Sequence, residues 1–88
     1  MPIVIYRTKQ PSEKLACLCD DCWELPAQVS ELEKWLDENK NNIYPDEYIA
    51  DIGFTQRDDA CGGGAALSPE SMGIMAKAGM SLFLSEYR

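Results

Sequence analysis

The chain has 88 residues, of which 45% are hydrophobic and 26% charged, with a formal net charge of −7 and no histidine. That length allows a single domain, residues 1–88, with little room for a second core. The negative balance argues against binding to nucleic-acid phosphates or anionic membranes and suits a basic protein partner, although it also serves solubility.

The opening stretch MPIVIYRTK lacks the basic leader, long apolar stretch and small-residue cleavage site of a signal peptide. No apolar run approaches the roughly 20 residues of a membrane span. These features lead us to expect a cytoplasmic protein. In that compartment four cysteines point to metal binding, redox chemistry or packing rather than to a disulfide framework.

In chain order, Pro2 to Tyr6 (PIVIY) reads as a short strand, broken by Thr8 to Ser12. Residues 13–24 read as a helix, because Leu15, Leu18, Cys19 and Cys22 recur at i, i+3, i+4 and i+7. Ser12 is placed as its N-cap. Residues 27–40 read as a second helix, with Val29, Leu32, Trp35 and Leu36 as its apolar stripe. Asn39, Asn41 and Asn42 form its stop signal. Tyr48 to Phe54 (YIADIGF) alternates as a strand does, and residues 55–60 form a polar loop. GGGAAL at 62–67 reads as a second, weaker strand. A third helix then starts with Ser68 as N-cap, Pro69 at N1 and Leu67 stapled onto Met72. Met72, Met75 and Ala76 line one of its faces, and Gly79 closes it. Met80 to Tyr87 is the last strand. The resulting order, β-α-β-β-α-β plus an extra N-terminal helix, predicts an α+β fold of ferredoxin-like type. Its sheet would be antiparallel, with helices on one face.

Four thiols could make a tetrahedral zinc site from Cys17, Cys19, Cys22 and Cys61. The spacing argues against it. Three ligands crowd one segment, and a helix there would turn Cys17 away from Cys19 and Cys22. Asp20 and Asp21 disfavour the thiolate that redox chemistry needs. The expectation is therefore packing, with Cys19 and Cys22 as small apolar side chains and no cofactor; zinc is the alternative. The three glycines of CGGGAALSPE match neither a Walker loop nor a dinucleotide fingerprint and read as a hairpin return. Without histidine, Ser–His or Cys–His activation is impossible, and nothing else in the sequence supports an enzyme.

Two acidic clusters remain as candidate partner-binding residues. Glu31, Glu33, Asp37 and Glu38 lie on the second helix, and Asp58 and Asp59 at a loop tip beside Arg57. Acidic faces steer a basic partner, and either cluster would equally suit a plain solvated surface. A further alternative is a homo-oligomeric subunit, in which an uncovered sheet face or edge pairs with a copy and Phe83 and Tyr87 are interface residues.

The segment 49–87 carries ADIGF, an R-x-D-A-x-G-G-G stretch and a closing helix followed by LSEY. In these pieces it resembles small bacterial proteins of unknown function, some of them grouped with toxin-immunity proteins. The resemblance implies a non-enzymatic α+β module. Together with small size and acidity, it leads us to expect a protein-binding function, such as an immunity protein or inhibitor of a basic toxin or nuclease.

Overall fold

A computed structural model describes residues 2–59, 61–62 and 64–87. It contains four strands and two helices: β1 (Ile3–Arg7), β2 (Glu13–Leu18), α1 (Leu25–Asn39), β3 (Tyr48–Thr55), α2 (Pro69–Ala78) and β4 (Met80–Tyr87). The sheet order is β2-β1-β3-β4. β1 runs antiparallel to both β2 and β3, and β4 runs parallel to β3.

The first correction concerns residues 13–24. They are not a helix, and Ser12 caps none. Residues 13–18 form β2, paired with β1 from Ile3–Leu18 to Arg7–Glu13, with a register shift between Ile5 and Tyr6. Leu15 and Leu18 fit helical spacing, but an apolar run this short fits either period. What decides is β1, whose second backbone edge needs a partner. Cys19 then takes a left-handed φ of 56°. Cys22 donates its backbone N–H to the Cys19 carbonyl at 3.1 Å, so Asp20 and Asp21 form a turn.

α1 begins two residues earlier than expected and carries a proline in its first turn. It buries Gln28, Val29, Leu32 and Leu36, the expected stripe apart from Trp35, which is only partly buried. Gln28 is a fully buried polar residue. Its Nε2 donates to the Cys22 carbonyl at 2.8 Å and the Gly53 carbonyl at 2.6 Å. One amide thereby ties α1 to β3 and to the turn after β2.

β3 forms as its alternation predicts. The expected strand at 62–67 does not: Gly62 and residues 64–67 are loop, while Gly63 and Ala60 lie outside the described residues. α2 follows its sequence signals closely at both ends. The Ser68 hydroxyl accepts from the Ser71 backbone N–H at 3.1 Å. Gly79 closes the helix at φ 84° and donates to the Met75 and Ala76 carbonyls. Its packed face differs from the expected one. Ser71, Met75 and Ala78 are buried, whereas Met72 and Ala76 are exposed.

The molecule is therefore α+β with a mixed sheet, not the ferredoxin-like antiparallel arrangement. A strand where a helix was expected, and a loop where a strand was expected, change the order to β-β-α-β-α-β. The α2 crossover is what allows β3 and β4 to lie side by side in parallel. Both helices cover the same sheet face, as expected. There Ile3, Ile5, Tyr48, Ala50, Ile52 and Met80 pack with Val29, Leu32, Leu36, Met75 and Ala78 in one core.

Two glycines near α2 should respond in opposite directions. A Cβ on Gly79 would meet the Asp46 carbonyl in a backbone conformation that L side chains avoid. Gly79→Ala should cost about 2 kcal/mol or more. Gly73 is inside α2 with open space around it, so Gly73→Ala should stabilise by roughly 0.5–1 kcal/mol. Urea unfolding of both variants checks the pair.

Candidate interaction surface

Strand alternation sends half of each strand to the sheet face that carries no helix. From the registers, two rows cross it: Cys17, Val4, Asp51 and Phe83, then Lys14, Tyr6, Ile49 and Ser81. Gly53 with Ser85 and Thr55 with Tyr87 extend it towards the end of β4. Val4, Tyr6 and Ile49 are half-buried by their neighbours alone. Phe83 and Tyr87 are 48% and 52% exposed.

The far end of this face is built around a missing side chain. A Cβ on Gly53 would lie 2.8 Å from Tyr87 Cε2, so glycine leaves the space that the tyrosine ring fills. The Trp23 ring meets Tyr87 edge-on, with centroids 5.8 Å apart. Trp23 is held by its own carbonyl, which accepts from the Thr55 N–H at 3.0 Å. Near the middle stands Asp51, half-buried, its carboxylate accepting from the Ser85 hydroxyl at 2.7 Å. A carboxylate flanked by Val4 and Phe83 keeps further acceptor capacity in a partly apolar setting. The face can thus offer apolar area and one fixed anionic acceptor.

The acidic residues singled out from sequence lie elsewhere and do not form one patch. Glu31 and Glu38 are exposed on α1, and Asp37 pairs with Lys40 at 3.1 Å. Glu33 turns towards α2. Its carboxylate accepts from the Ser68 backbone N–H at 2.7 Å and the Ser71 hydroxyl at 2.9 Å. These bonds hold the Glu33 carboxyl below its ordinary range. They also draw the Ser71 side of α2 inward, which accounts for its rotated face. Asp58 and Asp59 are exposed after β3. Asp58 borders a cleft of about 530 Å³ shared with Glu24, Gln56, Arg57 and Glu86, where Arg57 donates to the Gly62 carbonyl at 3.2 Å. A second cleft, about 460 Å³, lies between α1 and α2 beside Ile43, Pro45 and Ile74.

The cysteines are dispersed. Cys17 and Cys61 are exposed, Cys17 on the helix-free face. Cys19 and Cys22 face each other across their turn rather than along a helix, and Cys19 packs against the edge of the core. Burial, then Cys22, Glu31 and Asp20, push the Cys19 thiol up to about 11. Among the described residues no three side chains of metal-binding type converge. Likewise, no described helix is long and apolar enough to cross a membrane.

Sequence reasoning missed Trp23 and the grouping of Val4, Tyr6 and Ile49 on one face, and it weighed Asp51 only as an ion ligand beside Asp58 and Asp59. A signal was present: IVIYR and YIADIGF place apolar residues on both faces of their strands. No family model matches the chain, and comparison with curated proteins and with solved structures finds no match either.

Glu33→Gln should destabilise by about 1 kcal/mol, the worth of a part-exposed charged hydrogen bond. Because the folded carboxyl is more acidic than the unfolded one, its contribution is full above the unfolded value and is lost as pH falls through the folded one. Denaturant unfolding at pH 7 and in acid should show the variant and wild type converging as pH drops. For Cys19 the sign is opposite. Its stabilising effect is complete below about 9 and is lost as pH rises through about 11. Alkylation followed by mass spectrometry should find Cys19 the slowest thiol at pH 8, behind the exposed Cys17 and Cys61.

Proposed function

We propose that the chain is a non-enzymatic module that binds a basic protein through the helix-free face of its sheet. An immunity protein or inhibitor of a basic toxin or nuclease is a protein of this kind. The observation that carries the reading is the uncovered sheet face that bears Val4, Tyr6, Ile49, Phe83 and Tyr87, with Asp51 set among them. Aromatic residues dominate the energetics of protein interfaces, and Phe83 and Tyr87 stand exposed on this face. Asp51 would receive a lysine or arginine of the partner and fix its orientation.

The net charge of −7 supplies attraction at longer range. Glu31, Asp37 and Glu38 on α1, with Asp58 and Asp59 after β3, contribute to that field without touching the partner. Glu33, committed to α2, contributes least to recognition.

The reading is tested by affinity purification from the host at low salt, with wild type, Ile49→Lys and Asp51→Asn in parallel. Wild type should retain a protein of high isoelectric point. Ile49→Lys should lose it, Asp51→Asn should weaken it about tenfold or more, and added salt should release it. If wild type retains nothing that Ile49→Lys loses, the reading fails. Asp37→Lys with Glu38→Lys should slow association several-fold and leave dissociation unchanged.

A further inference from the structure

β4 is one of the two edges of the sheet, and the two edges are built differently. β2 is irregular against β1 and carries Glu13 and Lys14. Charge and irregularity are the ordinary means of blunting an edge. β4 pairs with β3 in unbroken register from Met80 to Tyr87. It contains no proline and no basic residue, and Glu86 is its one charge. It also leaves apolar groups open on both sides. Leu84 is 56% exposed on the helix side, and Phe83 is 48% exposed on the other.

The backbone of β4 is half used. Tyr48 donates to the Gly79 carbonyl and Gln56 to the Tyr87 carbonyl, both at 3.1 Å. In a parallel pair, alternate residues turn their polar groups to the same neighbour. Ser81, Phe83 and Ser85 therefore also serve β3, while Leu82, Leu84 and Glu86 turn theirs outward. These groups ask for another strand.

The sequence says which strand. Residues 81–85 read SLFLS, a palindrome about Phe83. Antiparallel pairing with a second copy about Phe83 sets Ser81 against Ser85, Leu82 against Leu84, and Phe83 against Phe83. Leu82 and Leu84 become the hydrogen-bonded pairs, which the outward backbone requires. Phe83 falls at a closely spaced non-hydrogen-bonded pair, where ring contact is best. Glu86 falls opposite Met80. The two Glu86 side chains are then about 20 Å apart along the strands, beyond the roughly 8–10 Å screening length.

We propose that two copies of this chain join edge to edge through β4, in an antiparallel pair centred on Phe83, to make one eight-stranded sheet. The inference does not rest on the partner-binding reading: it uses the strand edge, shares Phe83 with the sheet face, and leaves Ile49 and Asp51 open.

Sedimentation equilibrium, with hydrogen exchange followed residue by residue, tests it. At roughly 100 µM, suited to an interface at the small end of the specific range, the mass should double. The Leu82 and Leu84 amides should become protected as concentration rises. Added salt should tighten the dimer, since it screens two acidic bodies. Leu84→Lys should give a folded monomer, with folding checked by circular dichroism; Leu84 is exposed enough to be replaced. Ile49→Lys should leave the dimer intact. A strict monomer at 100 µM overturns the proposal. So does a dimer that survives Leu84→Lys, one that Ile49→Lys abolishes, or one that forms without protection at Leu82 and Leu84.

Discussion

β1 stands between β2 and β3, and both of its backbone edges have to be paired. That requirement organises the rest of the fold. It draws residues 13–18 into a strand although their apolar spacing also fits a helix. It sets β2 and β3 parallel to each other on either side of β1, so the chain must cross over between them, and α1 makes that crossing. With Ile3 and Ile5 wholly buried, one side of β1 is committed to the core. The placement of both helices on that side follows from it.

The parts legible in the sequence are those fixed by local chemistry. α2 is the clearest case. A serine cap, a proline in the first turn and a glycine in left-handed conformation act within a few residues of one another, and all are found where the sequence puts them. β3, β4 and the stripe of α1 are similarly local. The parts that were not legible depend on distant groups. Residues 13–18 become a strand because of β1. The inward face of α2 is set by Glu33, 35 and 38 positions before its partners Ser68 and Ser71. Glu33 itself was read as a surface charge, since nothing in the helix pattern shows which carboxylate finds a donor across the layer. The interaction surface was only half visible. Phe83 and Tyr87 stood out by type, but Asp51 gains meaning only from Val4 and Phe83 on the neighbouring strands.

The two sides of the molecule divide the physical work. The helical side is charged and solvated: Asp37 is paired with Lys40, Glu33 is spent on structure, and Glu31 and Glu38 stand exposed. The sheet side is sparsely charged, with Lys14 and Asp51 among apolar and small polar side chains, and is carried on hydrogen-bonded strands. A surface held on paired strands loses little entropy on binding. A surface of α1 side chains, long and mobile, would lose more. This difference favours the sheet as the contact and the helices as the source of the long-range field.

The contact between Trp23 and Tyr87 has an optical consequence. The chain has two tryptophans, and they sit on opposite layers: Trp35 is partly buried among the helices, and Trp23 lies at the rim of the bare sheet. Covering that rim would strip water from one indole and leave the other in its environment. Emission from Trp23 would shift to the blue while Trp35 served as an internal reference. The chain therefore carries an intrinsic fluorescent reporter for occupancy of its own sheet, and a Trp35→Phe variant would isolate the signal without adding a dye.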